Sequence, residues 1–345
     1  MPRYKRLIYH NALIEVTFRT EEGLPFVAST YMKRIITSIM ATAQTKYPTT
    51  ICDFILMANH MHMLLIVQNP EDFVDFIAYI KRESAHAVNR LLGIRKHTIW
   101  CERYDDPKVL DYEKVIERKV YYYTNPQTAG LVNTIEEYPN LSSWQAFITG
   151  GAEIHANRIK RHAIKPLSRN NLSIVQQESF ANELYKSSAE PVTLYIEPDA
   201  WMDCFEELEG IDADLINDKI INQIRKEENR LIKHRSDNKI PVLGANALKQ
   251  ASMRVHYFPK KHGKRMICLS SVKKYRQAFI HFYKLYTGYV SVAFQGRNKK
   301  QATRDYNIKN WLSAIPSGLF SPGRRTNSSI NPAFIPVVGY SIELA

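Results

Sequence analysis

The stretch 1–150 predicts an α+β fold, an antiparallel ferredoxin-like sheet with helices on one side, followed by a basic and mainly helical remainder. Three observations predict it. Apolar and polar residues alternate in "LIEVTFR". Two apolar runs, "TICDFILMA" and "HMHMLLIV", follow one another with almost no break. Two long segments carry apolar residues at helical spacing. Taken in order, "NALIEVTFR" reads as a strand, about Val27 to Gln44 as a helix, and the two apolar runs as paired strands. Then comes a helix over "PEDFVDFIAYIKRESAHAVNRLLG", in which Phe73, Phe76, Ile77, Ile80, Ser84, Ala87, Val88 and Leu91 keep one face. "HTIWCERY" reads as a further short strand. "DYEKVIERKVYYYT" closes the pattern as a helix capped by Asp111, with Pro126 soon after its end.

Beyond Gly150 the character changes. Residues 151–172, "GAEIHANRIKRHAIKPLSRNNL", read as a basic linker, and 173–345 as an accessory region, mainly helical. Within it "EPDAWMDCFEELEGIDADLIND" is strongly acidic, whereas Asn238 to Arg304 holds no Asp or Glu and fifteen Lys or Arg. The whole chain of 345 residues has 47 basic against 34 acidic side chains, a formal charge of +13, which favours a polyanionic partner such as nucleic acid. Candidate phosphate contacts are Lys260, Lys261, Lys264, Arg265, Lys273, Lys274, Lys299 and Lys300, together with Lys81, Arg82 and Arg90 on the earlier long helix. In "SSVKKYRQAFIHFYKLY" the residues Val272, Tyr275, Phe279, Phe282 and Tyr286 form an apolar stripe best read as core, which leaves the basic face for phosphates. Rings such as Tyr289 or Phe294 would suit stacking on unpaired bases, although core packing is the better reading for any one of them. Four scattered cysteines form no CxxC pair, and no apolar run reaches the length of a membrane span. The expectation is a cytoplasmic, nucleoid-associated protein with no membrane partner.

Two local patterns carry chemistry. His60 and His62 are one residue apart on a strand, so both imidazoles point to the same face. That arrangement serves a metal ion if a third ligand exists, and otherwise a pair of neutral histidines satisfied by hydrogen bonds. The second pattern is "YYYTNP". At about 100° per residue, Tyr123 falls on the buried stripe with Tyr112, Ile116 and Val120, and Tyr122 falls on its flank. Tyr121 lies on the opposite side with Lys114, Glu117 and Arg118, where packing does not require a phenol. Asn125, four residues on, shares roughly that side.

"MANHMHMLLIV", followed some sixty residues later by "YYYTNPQTAGLV" and then "YPNLSSWQAFITGG", resembles the HUH single-tyrosine transposases, in particular their REP-associated, IS200-like branch. The resemblance covers roughly Met1 to Gly151 and implies the HUH endonuclease fold. It implies that His60 and His62 are metal ligands, Tyr121 is the nucleophile, and Asn125 is a third ligand where other members place Gln or another polar side chain. Two imidazoles and an amide oxygen suit Mg²⁺ or Mn²⁺. A tyrosine phenol has an ordinary pKa of about 10, so attack on a phosphodiester requires it to shed its proton. A divalent ion supplies the charge withdrawal that makes such an attack feasible.

The resemblance therefore implies a DNA nicking and strand-transfer enzyme acting on single-stranded DNA near a hairpin through a 5′-phosphotyrosine. Two readings from other classes stand beside it: a domesticated DNA-binding protein without transposition activity, and a metal-dependent nuclease using water. Neither the recognised hairpin nor the choice between monomer and homodimer is legible in the sequence.

Overall fold

The computed structural model describes residues 6–168, 172–187, 190–258 and 266–295, the last few of these without side chains. Its central sheet contains β1 (Leu13–Arg19), β2 (Thr50–Leu56), β3 (His60–Ile66), β4 (Lys108–Val109) and β7 (Cys268–Leu269), in the order β2-β3-β1-β4-β7. The first four pair antiparallel and β7 lies parallel to β4, so the sheet is mixed rather than purely antiparallel. The α+β class stands.

Strand alternation assigns each side chain to one of two cores. Ile14, Val16 and Phe18 of β1 and Met61, Met63 and Leu65 of β3 face α1 (Thr30–Lys46) and α2 (Pro70–Leu92), where they meet Met32, Ile36, Phe73 and Ile77. The opposite face is covered too. Leu13, Ile55 and Leu64 pack against Ile116, Tyr122 and Tyr123 of α3 (Tyr112–Thr128) and against Trp201, Ile220 and Ile224 of the later chain. Helices thus lie on both faces, not on one.

Helix boundaries follow their caps. Ser29, Asn69 and Asp111 each accept a hydrogen bond from the first turn of α1, α2 and α3 respectively, and Gly93 ends α2 in the left-handed conformation at φ 69°. The expectation that α3 stops before Pro126 fails. The helix runs on to Thr128 with the proline inside it, because the Ala129 amide bonds the Asn125 carbonyl and the Leu131 amide bonds that of Pro126.

"HTIWCERY" is not a strand. Trp100 and Asp105 make single bridges to Thr20 and Thr17, and the true strand β4 comes a few residues later. The segment expected as a linker contains β5 (Ala152–Asn157), which pairs antiparallel with β6 (Pro191–Ile196). Leu194 and Ile196 belong to the α1/α2 core, and the Glu197 amide donates to the Ile51 carbonyl of β2. The later chain adds α4 (Trp144–Ile148), α5 (Ile174–Lys186), α6 (Ala213–Asp237), α7 (Ala245–Lys249) and α8 (Lys273–Gln295). The apolar stripe expected on α8 is present: Phe279, Tyr283 and Tyr286 pack with Leu7, Leu110 and Cys268, while Val272 lies exposed ahead of the helix. Packing is continuous across residue 150, since both principal cores draw side chains from either side of it. Among the described residues no helix is long and apolar enough to cross a membrane.

Candidate active site

The even-numbered residues of β3 and the odd-numbered residues of β1 share the face that α3 covers. His60 and His62 therefore point at the helix bearing the three tyrosines. In register with them, Thr17 stands opposite His62 and Glu15 opposite Leu64. The two imidazole centroids are 5.0 Å apart, the Tyr121 ring is 5.3 Å from His62, and Asn125 Nδ2 lies 3.3 Å from His60 Nε2. All four residues singled out in the sequence meet in one place.

The three consecutive tyrosines have different fates. Tyr122 and Tyr123 are wholly buried, whereas Tyr121 is 37% exposed. The flank that Tyr122 occupies is interior: its ring stacks on His62 at 5.4 Å and its hydroxyl donates to the Met63 carbonyl. Tyr123 donates to Asp53 and meets Ser143. Burial, with the Glu15 charge beside Tyr122 and Asp53 beside Tyr123, drives both phenols well above their ordinary range. Of the three hydroxyls, Tyr121 is the one an incoming phosphodiester can reach.

The histidines are held with one nitrogen each facing the site. Thr17 Oγ1 lies 2.8 Å from His62 Nδ1, with Glu15 Oε1 at 3.5 Å. The carboxylate can only accept, so Nδ1 carries the proton and Nε2 has the lone pair. That Nε2 is buried and has no hydrogen-bond partner. His60 Nδ1 donates to Asn59 Oδ1 at 2.7 Å, which likewise leaves its Nε2 as an acceptor toward Asn125. Burial, reinforced by the neighbouring His62 and Arg19, pushes the His60 pKa down to about 3, and burial lowers that of His62 as well. Both rings are neutral at physiological pH, the form a metal requires. An orphaned buried imidazole nitrogen beside a second neutral imidazole and an amide fits a divalent ion. Among the described residues no three His, Cys, Asp or Glu side chains converge; beside His60 stands the Asn125 side-chain amide.

Sequence reasoning missed Glu15 and Thr17 and gave Arg118 no role. Glu15 is almost fully buried and ties the two arms of the site together: it faces His62 and accepts from Arg118, whose guanidinium carbon sits 4.3 Å over the Tyr121 ring. Burial would raise the Glu15 carboxyl, but the His62 hydrogen bond and the Arg118 charge outweigh it and hold the carboxyl below its usual range. A signal existed for Arg118, which falls on the Tyr121 side of the helix by spacing alone.

The basic candidates are spread more widely. Lys81 is committed: its ammonium donates to the carbonyls of Cys101 and Glu102, and burial lowers its pKa to about 8. Arg82 pairs with Glu83, while Arg90, Lys273 and Lys274 are exposed. Lys260, Lys261, Lys264, Arg265, Lys299 and Lys300 lie outside the described residues, as do the side chains of Tyr289 and Phe294.

A strand-borne histidine pair thus faces a helical tyrosine on one side of the mixed sheet. Residues 9–124 match the family model described as "Transposase IS200 like". The matched span contains His60, His62 and Tyr121, and Asn125 lies one residue beyond it. A solved structure of a REP-associated tyrosine transposase bound to a REP hairpin matches with a TM-score of 0.37 and 19% identity, covering 43% of this chain and 86% of that one. No curated protein matches this chain.

Proposed function

We propose that this protein is a transposase-type DNA nicking and strand-transfer enzyme that cleaves single-stranded DNA beside a hairpin, with Tyr121 as nucleophile and Mg²⁺ or Mn²⁺ held by His60, His62 and Asn125. One observation carries the reading. The single accessible phenol of three lies over an open, neutral two-histidine site whose His62 Nε2 has a lone pair and no partner.

When bound, the divalent ion supplies Lewis-acid withdrawal of charge from the scissile phosphate. The protein's own groups do the rest. His62 is fixed in one tautomer by Thr17 and Glu15, and His60 by Asn59, so neither ring must reorganise. Arg118 keeps the Tyr121 ring beside His62 and adds positive charge where an anionic substrate arrives. Tyr121 Oη bonds to phosphorus as the bond from phosphorus to the 3′-oxygen breaks. The phenolic proton departs, the 3′-oxygen takes one up, and the products are a 5′-phosphotyrosine and a 3′-hydroxyl. The phosphotyrosine conserves the bond for transfer to another 3′-hydroxyl. The excess of basic residues supports DNA as the substrate.

The test is mass spectrometry of the full chain after incubation with Mn²⁺ and hairpin oligonucleotides bearing single-stranded flanks. A nucleotide adduct on Tyr121, absent in Tyr121→Phe and retained in Tyr122→Phe and Tyr123→Phe, is the expected result. An adduct on Tyr122 or Tyr123 disproves the assignment. Cleavage without any adduct favours a water-using nuclease, and hairpin binding without cleavage favours a domesticated DNA-binding protein.

A further inference from the structure

The helix that carries Tyr121 and Asn125 is held at both ends by the second half of the chain. At its start, Asp111 caps α3 through Lys114 N and also accepts from the backbone amide and hydroxyl of Ser271. At its end the grip is tighter. Glu228 of α6, 2% exposed, accepts from Gln127 Nε2 at 2.7 Å and from the Ile135 amide at 2.8 Å, and its other oxygen takes Arg225 at 2.7 Å. Arg235, also buried, donates to the Gln127 carbonyl at 2.8 Å and to Asn133 at 3.1 Å. Gln127 itself is fully buried.

Pro126 explains why such a grip is needed. A proline inside a helix has no amide hydrogen and removes one bond of the ladder, here the one residue 126 would have donated to the Tyr122 carbonyl. The weakened turn is the one that presents Asn125. A third ligand placed there needs support from outside its own helix, and residue 127, two positions away, is where α6 provides it.

We infer that Glu228 and Arg235 are positioning residues for the proposed reaction, setting the end of the nucleophile helix so that Asn125 completes the metal site beside His60. The inference rests on the functional reading above. It makes α6 part of the catalytic assembly rather than of a separable DNA-binding tail. Neither residue reaches the reacting atoms. Both act through Gln127 on a turn whose own hydrogen bonding is incomplete.

The experiment uses full-length protein in three single variants of this contact, one double variant and a control. Glu228→Met removes the acceptor at nearly constant volume, Glu228→Gln keeps an acceptor oxygen, and Gln127→Met attacks the same bond from the α3 side. Mn²⁺ binding is read without DNA, from loss of the free-ion electron paramagnetic resonance signal, and adduct formation is measured separately. Glu228→Met and Gln127→Met should each weaken Mn²⁺ binding about tenfold, and the double variant should be no weaker than either alone, because both remove one interaction. Glu228→Gln should stay within about threefold of the unmodified protein.

Ile224→Val, which trims the same helix where it packs on the core, should leave Mn²⁺ binding unchanged. If Glu228→Met does not fold, Gln127→Met, which leaves Glu228 with Arg225 and the Ile135 amide, decides the matter. Unchanged Mn²⁺ binding in a folded Gln127→Met protein, or fully additive losses in the double variant, overturns the inference. A native protein that binds Mn²⁺ and responds to these variants yet forms no adduct leaves the inference standing and removes the proposed nicking activity instead.

Discussion

Lys119 lies two residues before Tyr121 and is wholly buried, an unusual place for an ammonium group. It stands 3.0 Å from Asp53 Oδ2 and donates to the Pro198 carbonyl at 2.8 Å, while the other oxygen of Asp53 accepts from Tyr123. Burial pulls the Asp53 carboxyl upward, opposed by the Lys119 charge and by the hydrogen bonds it accepts. Lys119→Met keeps the stem and deletes the charge, leaving a buried carboxylate without its counter-ion. Removing one partner of such a pair destabilises by about 3–5 kcal/mol. At roughly 2.1 cal/mol/K of unfolding entropy per residue, a chain of 345 residues has about 0.7 kcal/mol/K, so the melting midpoint should drop by about 4–7 °C. Adding Asp53→Asn removes the stranded charge and should restore at least half of that loss. Thermal unfolding followed by circular dichroism at neutral pH measures both variants. A midpoint lowered by less than about 1 °C, or a double variant whose loss equals the sum of the singles, would refute the claim that this pair anchors α3 to β2.

Other outcomes follow from the same geometry. Deleting the chain after Gly150 removes Trp201, Ile220 and Ile224 from the core against Tyr122 and Tyr123, so the fragment should be insoluble or lack a cooperative unfolding transition; a folded, active fragment would show that the halves are independent after all. His62→Ala should abolish Mn²⁺-dependent adduct formation, and Thr17→Val should reduce it by about 10–100-fold through loss of the bond to His62 Nδ1, both read by gel shift of the covalent complex. Glu136 is held below its usual carboxylate range, where burial is outweighed by the Arg225 hydrogen bond. Its contribution is present above about pH 4.3, is lost as pH falls through the lower folded value, and is well under about 1 kcal/mol for groups this exposed. Glu136→Gln should therefore lower the midpoint slightly at pH 7, by an amount that shrinks as pH falls below about 4.3. If the basic excess meets DNA at about five phosphates, hairpin affinity should fall with a log–log salt slope of about −3.5 to −4.5; a flat salt dependence would direct that charge elsewhere.

What the sequence made legible was what depends on periodicity. Two histidines at alternate positions must share a strand face, and three consecutive residues of a helix must point in three directions. The shared face of His60 and His62 and the outward position of Tyr121 follow from those rules, whereas the roles of ligand and nucleophile were implied only by the family resemblance. The misreadings arose where a second element decides the environment. Tyr122 sits at a flanking angle on α3, but β1 closes over it, and Glu15 and His62 make that flank an interior. Glu15 and Thr17 are the polar half of an alternating strand, a pattern that reads as a solvent face until the helix covering it is known. Proline was given its ordinary weight as a stop. It failed to act as one because the Ala129 and Leu131 amides bond back to the Asn125 and Pro126 carbonyls and carry the helix on to Thr128.

The later half of the chain shows how support for α3 hides from a sequence. Glu228 sits in "RKEENR", whose charges at helical spacing describe a solvated face, and Glu227 beside it does pair with Arg230 at the surface. Only its distance to Gln127, across 101 positions, sets Glu228 apart. Strand β7 is similar: two residues, Cys268 and Leu269, complete the sheet beside β4, and the serines that follow bring Ser271 onto the cap of α3. Each contact is short-range in space and remote in sequence, and through Gln127 and Asp111 they reach both ends of α3. A region added merely to hold DNA had no need to converge there, whereas one that fixes where Asn125 and Tyr121 stand had to reach both ends of that helix.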